Sequence, residues 1–410
     1  MNHTLFVGID VAKLTNHIYC LNLDRDKLLS INIPNTQDGA NQIESHLLKL
    51  LEKHNLTKLI VILESTGVYS AHIATYLSAS KYLSLFETKV YIINPKISKN
   101  YRKSFADIDK TDPKDAFVLA DIARVGRCDE LTPFKGSQRL ALERLTRHRL
   151  HIAEKLSNEK VYSLNNVFLK FSNFETLFSD NFGKTAVDLL LEYKSVDDII
   201  DSSLEDLASF VANSSKNGFD NSTDVATKIQ KAARASYRLD EVAYNSINLS
   251  LASSINVIRC YQDELKAIDK AITNQVAGFH PGHYQILNSI PGIGKVYAAG
   301  ILAEIANIDQ FDSHSALAKY AGITWRKNQS GKYTADDTHM TKTGNKYLRY
   351  FLIQAANMAR IHIPEYRDFY HKKFNEVTNH KHKRALALTA RKLIRLIFGL
   401  LSTNRLYKKI

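Results

Sequence analysis

The sequence has few cysteines and lacks any long apolar run. Its three cysteines are Cys20, Cys128 and Cys260, which lie far apart among 410 residues. Three such residues suit neither a disulfide framework nor a zinc site, so we expect a reducing compartment, the cytoplasm. The opening segment MNHTLFVGID has no charged stretch followed by a long apolar one, and no run of about eighteen apolar residues occurs. We therefore expect no signal peptide and no membrane contact.

Acidic residues are also in deficit, and unevenly so. The chain has 55 Lys and Arg against 42 Asp and Glu, a net charge of +13. Residues 361–410 contain twelve basic and three acidic side chains, whereas residues 171–240 contain seven and twelve. A basic surface favours a polyanionic partner, nucleic acid before membrane. We expect the C-terminal part to contact nucleic acid and the acidic middle to differ in character.

The first 110 residues predict an α/β domain. We expect helices at 35–54 and 69–80, and strands at 5–10, 17–23, 28–33, 58–66 and 89–95. Three opening strands followed by alternating helices and strands is the element order of an RNase H-like (RuvC-like) domain, although other α/β folds share it.

Long helices follow from residue 137. Apolar residues recur at heptad-like spacing in two stretches, at Leu142, Leu145, Ile152 and Leu156, and at Ile258, Leu265, Ile268 and Ile272. Two such stretches predict an antiparallel coiled coil, and two ordinary amphipathic helices in a bundle are the alternative. We expect three domains: an α/β domain over 1–136, a helical arm over 137–280 with an acidic insertion at 171–240, and a mainly helical domain over 281–410.

Four carboxylates stand at positions suited to a metal site. Asp10 ends the first predicted strand and Glu64 ends the apolar run VILE of residues 61–64, and open α/β sheets place their chemistry at such strand ends. Asp112 and Asp115 are three residues apart, so on a helix they share one face. Converging carboxylates repel one another unless a cation lies between them, and oxygen ligands suit Mg²⁺, with Mn²⁺ as the alternative ion. Two such ions can promote phosphodiester cleavage.

Each acid alone has a plainer interpretation. Asp112 before Pro113 fits a helix cap, and Asp115 then favours the helix start. Glu64 fits a solvated strand end, and Asp10 fits the phosphate-loop acid of an actin-like ATPase. The four together, on strand, strand and helix in this order, favour the metal site.

The segment SIPGIGKVYAAGILAEI at 289–305 has the pattern of a helix-hairpin-helix. Gly292 and Gly294 lie in its turn and Lys295 opens the second helix. Backbone N–H groups at such a turn can hold a DNA phosphate without reading bases. The alternative is a glycine-rich turn that only packs two helices together.

Basic residues continue towards the C-terminus. Residues 320–352 contain a run that suits phosphate, with Arg326, Lys342, Lys346 and Arg349 among its members. Ser330 precedes a glycine there, and from the residues alone a turn role is the simplest, because a serine nucleophile needs activation. The segment 381–401 predicts a basic amphipathic helix. Its Lys383, Arg384 and Arg391 suit a nucleic-acid backbone, with a core helix or a membrane-surface helix as alternatives.

Taken in order, several short motifs resemble the DEDD transposases of the insertion sequence 110 family, relatives of the Piv DNA invertases. The motifs are GIDVAK, VILESTGVY, INP, KTDPKDA, SIPGIG, AGIT with SG, and KTGNKYLR. The resemblance implies a RuvC-like domain, a coiled-coil arm and a C-terminal transposase domain. It implies that Asp10, Glu64, Asp112 and Asp115 form a catalytic metal-binding tetrad. It also implies that Ser330 bonds covalently to a DNA phosphate, and that a structured RNA guides the choice of DNA.

We therefore expect a Mg²⁺-dependent DNA recombinase that moves a mobile element as a dimer or tetramer. A Holliday-junction-type nuclease that uses water would also need the four acids, but it would not need Ser330. A non-catalytic nucleic-acid scaffold would need neither.

Overall fold

The structure is a computed structural model. It describes residues 3–65, 67–105, 111–127, 133–134, 136–215, 218–325, 329–330, 333–334 and 339–408, with the backbone alone at 329–330 and 333–334. The chain forms two compact units, one made of residues 1–144 and 273–410 and the other of residues 145–272. The predicted division into three domains stays a prediction.

The N-terminal part is built on a five-stranded mixed sheet. Its strands are β1 (Thr4–Val11), β2 (Thr15–Leu21), β3 (Lys27–Pro34), β4 (Lys58–Glu64) and β5 (Glu87–Ile93). They lie in the order β3-β2-β1-β4-β5. The first three are antiparallel neighbours, and β4 and β5 run parallel to β1. This is the RNase H-like arrangement, so the predicted fold is confirmed.

Helices cover both faces of this sheet: α1 (Gln37–Lys53), α2 (Ser70–Ala79), α3 (Pro95–Arg102) and α4 (Asp112–Arg124), with a 3-10 turn at Leu83–Leu85. Alternate residues of β1 face opposite ways. Leu5, Val7 and Ile9 join the core shared with α1 and α2. Phe6 joins the core that contains Val118 of α4. Because both faces are buried, the central strands are apolar almost throughout.

Two long helices dominate the second unit and its flanks: α5 (Gly136–Lys170) and α10 (Glu241–Ala277). Arg149 Nε donates to Asp269 Oδ1 at 2.7 Å, and Lys170 Nζ donates to Asn248 Oδ1 at 2.5 Å. One partner's number rises as the other's falls, so the two helices are antiparallel, as predicted.

The predicted insertion at 171–240 is helical. It contains a 3-10 turn (Phe174–Thr176), α6 (Lys184–Glu192), α7 (Val196–Asp201), α8 (Leu204–Ser215) and α9 (Ser222–Arg234). These helices share one apolar core with Val167 of α5 and with Leu251 and Ile255 of α10. The insertion is therefore a small bundle built on one end of the long helical pair.

The C-terminal part is mainly helical, as predicted. It contains α11 (Pro281–Asn288), α12 (Lys295–Ile305), a 3-10 turn (Ile308–Gln310), α13 (His314–Ala321), β6 (Gln329–Ser330), β7 (Tyr333–Thr334), α14 (Lys346–His362), α15 (Pro364–Asn375) and α16 (Lys381–Ser402). Its last helix buries Leu393, Ile394 and Ile397, so α16 is a core element. In the part of the chain that the structure describes, no helix combines the length and apolar character needed to cross a bilayer.

Candidate functional site

Asp10 and Glu64 are neighbours at the carboxyl edge of the sheet. Ile9 of β1 pairs with Leu63 of β4 in parallel register, so the next residue on each strand is one of the two acids. Both acids are half-buried. Since Phe6 and Ile62 face α4, strand alternation places Asp10 and Glu64 on that same face. Glu64 Oε2 accepts a hydrogen bond from Ser98 Oγ on α3 at 2.5 Å.

Asp112 and Asp115 lie in the first turn of α4, on the same face of the sheet. The helix begins at Asp112, so Thr111 occupies the cap position that the plainer interpretation gave to Asp112. The helix packs directly over Gly8, where an added Cβ would lie 2.0 Å from the Ala116 carbonyl oxygen. Gly8 stands two residues before Asp10, so this close packing brings the N-terminal turn of α4 towards the edge that carries the other two acids.

His17 joins this edge and was not predicted as a site residue. It is the cross-strand partner of Asp10 in the register of β1 with β2. Its Nε2 lies 3.1 Å from Ser30 Oγ. Burial lowers the pKa of His17, and the negative charge of Asp112 opposes that shift. The proximity of His17 to Asp10 follows from the pairing of β1 with β2. The sequence alone does not indicate it, because a single histidine in a strand has no characteristic pattern.

A basic side chain also reaches the acids. Arg102, at the end of α3, forms an ion pair with Asp115. Among the residues that the structure describes, no three Asp, Glu, His or Cys side chains come close enough together to hold a metal ion. The fold thus places the four acids on one face of the sheet, with Asp10 and Glu64 at its edge, and Arg102 and Ser98 bond to two of them.

Ser330 lies in β6, which pairs with β7 in a two-stranded antiparallel sheet where Ser330 is opposite Tyr333. Its side chain lies outside what the structure describes, and so does the whole of Arg326. On the flanks, Trp325 pairs with Met340 in an antiparallel bridge. The serine predicted as the nucleophile therefore lies in a two-stranded antiparallel pair, between the two residues of this bridge in the sequence.

The glycine turn before α12 packs closely against α14. Gly292 has φ +90°, and an added Cβ there would lie 2.7 Å from the Met358 carbonyl carbon. Gly294 and Lys295 are exposed, and no atom lies within 4 Å of a Cβ built on Gly294. Gly292 is thus explained by packing, whereas Gly294 and Lys295 present the open start of α12 to solvent.

The predicted basic contacts divide into exposed and engaged residues. Lys342, Lys346 and Lys383 are exposed. Arg349 Nη1 donates to the carbonyl oxygens of Ala321 and Lys342, each at 3.1 Å, and burial lowers the pKa of its guanidinium. This arginine holds two chain segments together.

The two arginines of α16 that were predicted to contact nucleic acid are also engaged within the chain. Arg384 pairs with Glu376 at 3.2 Å. Arg391 donates to His314 O at 3.2 Å and to Ser315 Oγ at 3.0 Å. These bonds, together with the apolar face of α16, favour the interpretation of a core helix with a charged outer face.

Comparison with known proteins bears on both ends of the chain. Residues 7–168 match a family model described as a transposase, and residues 284–371 match one described as the transposase of the IS116/IS110/IS902 family. The chain belongs to the IS110 family of transposases.

Similar proteins extend over the full length of this transposase. The uncharacterized 42 kDa protein of insertion element IS900 from Mycobacterium paratuberculosis is 23% identical over 99% of this chain and 98% of its own. The pilin gene-inverting protein of Moraxella lacunata is 23% identical over 98% of each chain. A solved structure of T. thermophilus RuvC with a Holliday junction substrate covers 32% of this chain and all of its own, with 14% identity and a TM-score of 0.24. That likeness is too slight to support an inference, and the strand order establishes the fold by itself.

A transposase of this family cuts and rejoins DNA, and membership of the family suggests a divalent metal. The four candidate ligands are chemically suitable for such an ion, because hard cations prefer oxygen ligands and β1, β4 and α4 all present carboxylates. The ion pair between Arg102 and Asp115 would have to open for Asp115 to contribute an oxygen. Neither Arg102 nor His17 stands out in the sequence, because each acquires its neighbours only through the packing of α3, α4 and β2.

Proposed function

We propose that this transposase moves an insertion element by cutting and rejoining DNA through a covalent bond between Ser330 and a DNA phosphate. The observation that supports this most is the meeting of Asp10 and Glu64 at one sheet edge, with Asp112 and Asp115 on the helix packed against that face. Carboxylates that converge on a shared edge repel one another unless a cation lies between them, which is why this arrangement favours a metal site.

In this scheme the four acids bind and orient a divalent metal ion. Asp10, Glu64, Asp112 and Asp115 would bind Mg²⁺, or Mn²⁺ in its place, which supplies positive charge to the reacting phosphate when bound. Rigid strands and a helix fix their directions, which keeps the carboxylates aimed without help from a loop. His17, the cross-strand partner of Asp10, lies beside the same edge and is bonded to Ser30.

The covalent step balances within the chain and the DNA. The Ser330 hydroxyl attacks the phosphorus, loses its proton, and forms an O–P ester. The bond from phosphorus to the leaving strand breaks, and that strand departs with a hydroxyl group. A hydroxyl of the second DNA strand then attacks the phosphoserine, restores a phosphodiester and releases the serine. The ester conserves the energy of the broken bond, so rejoining needs no other energy source.

Basic and helical surfaces would hold the nucleic acid. Gly294 and Lys295 begin α12 after a glycine turn, as in a helix-hairpin-helix, and Lys342, Lys346 and Lys383 are exposed. We include a structured guide RNA among the partners, since basic surface of this extent serves either nucleic acid. Two DNA sites must be held at once, so we also propose a dimer or tetramer that assembles through the long helical pair.

A covalent-adduct assay tests this function. Purified protein, Mg²⁺, labelled DNA carrying the element's ends and co-expressed flanking RNA would be mixed and quenched in detergent. We expect labelled protein with the wild type, and none with Ser330→Ala or Asp115→Ala. Ser84→Ala and Asp263→Ala serve as matched controls, because Ser84 is exposed just before β5 and Asp263 is 75% exposed on α10.

Two outcomes would overturn the proposal. Cleavage without an adduct, unchanged by Ser330→Ala but abolished by Asp115→Ala, would show a nuclease that uses water. Binding of the DNA with no cleavage by any variant or by the wild type would show a scaffold without catalysis.

A further inference from the structure

Glu304 is a carboxylate inside the C-terminal core. It lies at the end of α12 and is 0% exposed. Its Oε2 accepts a hydrogen bond of 2.6 Å from Asn345 Nδ2. A buried carboxylate destabilises the fold unless hydrogen bonds compensate for its lost hydration, so the bonds of Glu304 matter to this core. In the sequence Glu304 is visible only as a single acid within the apolar stretch 298–306.

Asn345 is held from three sides. Its Oδ1 accepts from the backbone N–H groups of Tyr347 and Leu348, each at 3.0 Å, and so caps α14. Its own N–H donates to Tyr320 O at 2.8 Å. The side-chain oxygen therefore faces the helix and the side-chain nitrogen faces Glu304. A buried acceptor at Glu304 fixes the amide in this orientation, because the flipped amide would set oxygen against oxygen.

The residues before Asn345 are fixed against the end of α13. Gly344 has φ +142°, and an added Cβ would lie 2.3 Å from Tyr320 O. Arg349 then ties Ala321 O to Lys342 O, each at 3.1 Å. The loop 342–345 is consequently held against the end of α13 by the bonds of Arg349 and by the bond of the Asn345 N–H to Tyr320 O.

This loop continues directly into the segment that carries Ser330. The Thr341 N–H donates to Thr324 O at 2.8 Å, and the two threonine hydroxyls lie 3.0 Å apart. The next pair outward is the bridge between Trp325 and Met340. The segment that contains β6 and β7 therefore begins and ends next to the paired residues Thr324 and Thr341. Asn345, which bonds to Glu304, lies four residues after Thr341 in the chain.

We propose that Glu304 is a positioning residue for Ser330, an inference that rests on the proposed function. It does not touch the reacting atoms. Its carboxylate orients the side-chain amide of Asn345, and Asn345 in turn fixes the loop 342–345. That loop continues into Thr341, whose pairing with Thr324 sets where the segment carrying Ser330 begins and ends. An error of about 1 Å in the position of a nucleophile lowers the rate on the order of a hundredfold, so a rigid base matters for the covalent step.

Substitutions at the two ends of this bond separate positioning from general stability. Asn345→Asp keeps a capping oxygen for α14 but replaces the donor with a second carboxylate facing Glu304. Glu304→Gln keeps an acceptor, so it should form the bond as before. The double variant Glu304→Gln with Asn345→Asp restores a donor–acceptor pair in the reverse direction.

The test measures the rate of adduct formation, DNA binding, the melting temperature and hydrogen exchange at residues 320–325 and 339–346. We expect Asn345→Asp to slow adduct formation on the order of a hundredfold, with DNA binding retained and faster exchange at Thr341. Glu304→Gln should behave as the wild type, and the double variant should recover both the rate and the protection.

Three results would overturn the inference: an Asn345→Asp variant with the wild-type rate, a double variant as slow as the single one, or rates that only follow the melting temperature. If the wild type itself forms no adduct, the proposed function fails and the link to Ser330 fails with it. Hydrogen exchange would then still show whether Glu304 holds the loop.

Discussion

Gly8→Ala tests whether the packing of one helix on one strand assembles the acidic edge. Gly8 lies in β1 directly beneath α4. A Cβ at this position would stand 2.0 Å from Ala116 O, 2.4 Å from Ala120 N and 2.8 Å from Leu119 Cβ. Two of these are backbone atoms of a helix, which cannot rotate away as a side chain can. The substitution must therefore push α4 off the sheet.

The expected size follows from these distances. Ordinary contact begins at about 3.4 Å, so the helix must withdraw by more than 1 Å near Ala116. Overpacking of this kind costs about 3 kcal/mol, and the lower entropy of the unfolded alanine chain returns less than about 1 kcal/mol, so we expect a net loss of about 2 kcal/mol. Asp112 and Asp115 move with the helix, so adduct formation should fall on the order of a hundredfold.

Urea unfolding followed by circular dichroism gives the stability, and the detergent-quenched assay gives the rate. Gly399→Ala is the matched control. Gly399 is exposed within α16, and a Cβ added there would have no atom within 4 Å. That control should gain up to about 1 kcal/mol, because alanine favours a helix over glycine.

Wild-type stability together with a wild-type adduct rate in Gly8→Ala would refute the reasoning, because α4 could not then lie against Gly8. A loss of stability with an unchanged rate of adduct formation would refute only the prediction about the rate. It would mean that the positions of Asp112 and Asp115 relative to Asp10 do not limit the reaction.

Two further predictions concern other parts of the molecule. Lys170 is 4% exposed and burial lowers its pKa from 10.5 to about 8, so the unfolded chain binds more protons than the folded one between these values. Stability should therefore rise across that pH range, by at most about 3 kcal/mol, and Lys170→Met should abolish the rise in a series of urea unfolding curves. Arg349→Met should lower stability by about 2 kcal/mol through two lost bonds to carbonyls, whereas Lys346→Met should leave stability unchanged and reduce the salt dependence of DNA binding by about one ion. The reverse pattern in these two variants would show that Arg349 is the phosphate contact.

The sequence was sufficient to predict the elements of the N-terminal sheet. The observed strand Lys58–Glu64 and helix Gln37–Lys53 differ from the predicted 58–66 and 35–54 by two residues or fewer at each end. Both have strong signals, a continuous apolar run and a periodic apolar face, which depend on the segment alone. The RNase H-like order and the antiparallel long helices followed from the same kind of pattern.

The neighbours of a candidate site residue were predictable only where the residue type and its position at a strand end coincide. Asp10 lies one residue before the end of β1 and Glu64 ends β4, so a sheet topology was enough to make them neighbours. His17, Arg102 and Glu304 gave no such signal, because each matters through a partner far away in the chain: Asp10 across a strand pair, Asp115 on another helix, and Asn345 more than forty residues later.

The sequence by itself determined which segments are helix and strand, where the basic charge lies, and that Asp10 and Glu64 lie along one edge. Those properties arise from local periodicity and from the fixed geometry of parallel strands. Only the tertiary structure decided which charged side chains form bonds within the chain. Arg349, Arg384 and Arg391 are engaged within it, while Lys342, Lys346 and Lys383 remain exposed. A side chain's charge is a property of its residue, but its availability depends on which carbonyls and carboxylates folding brings within reach.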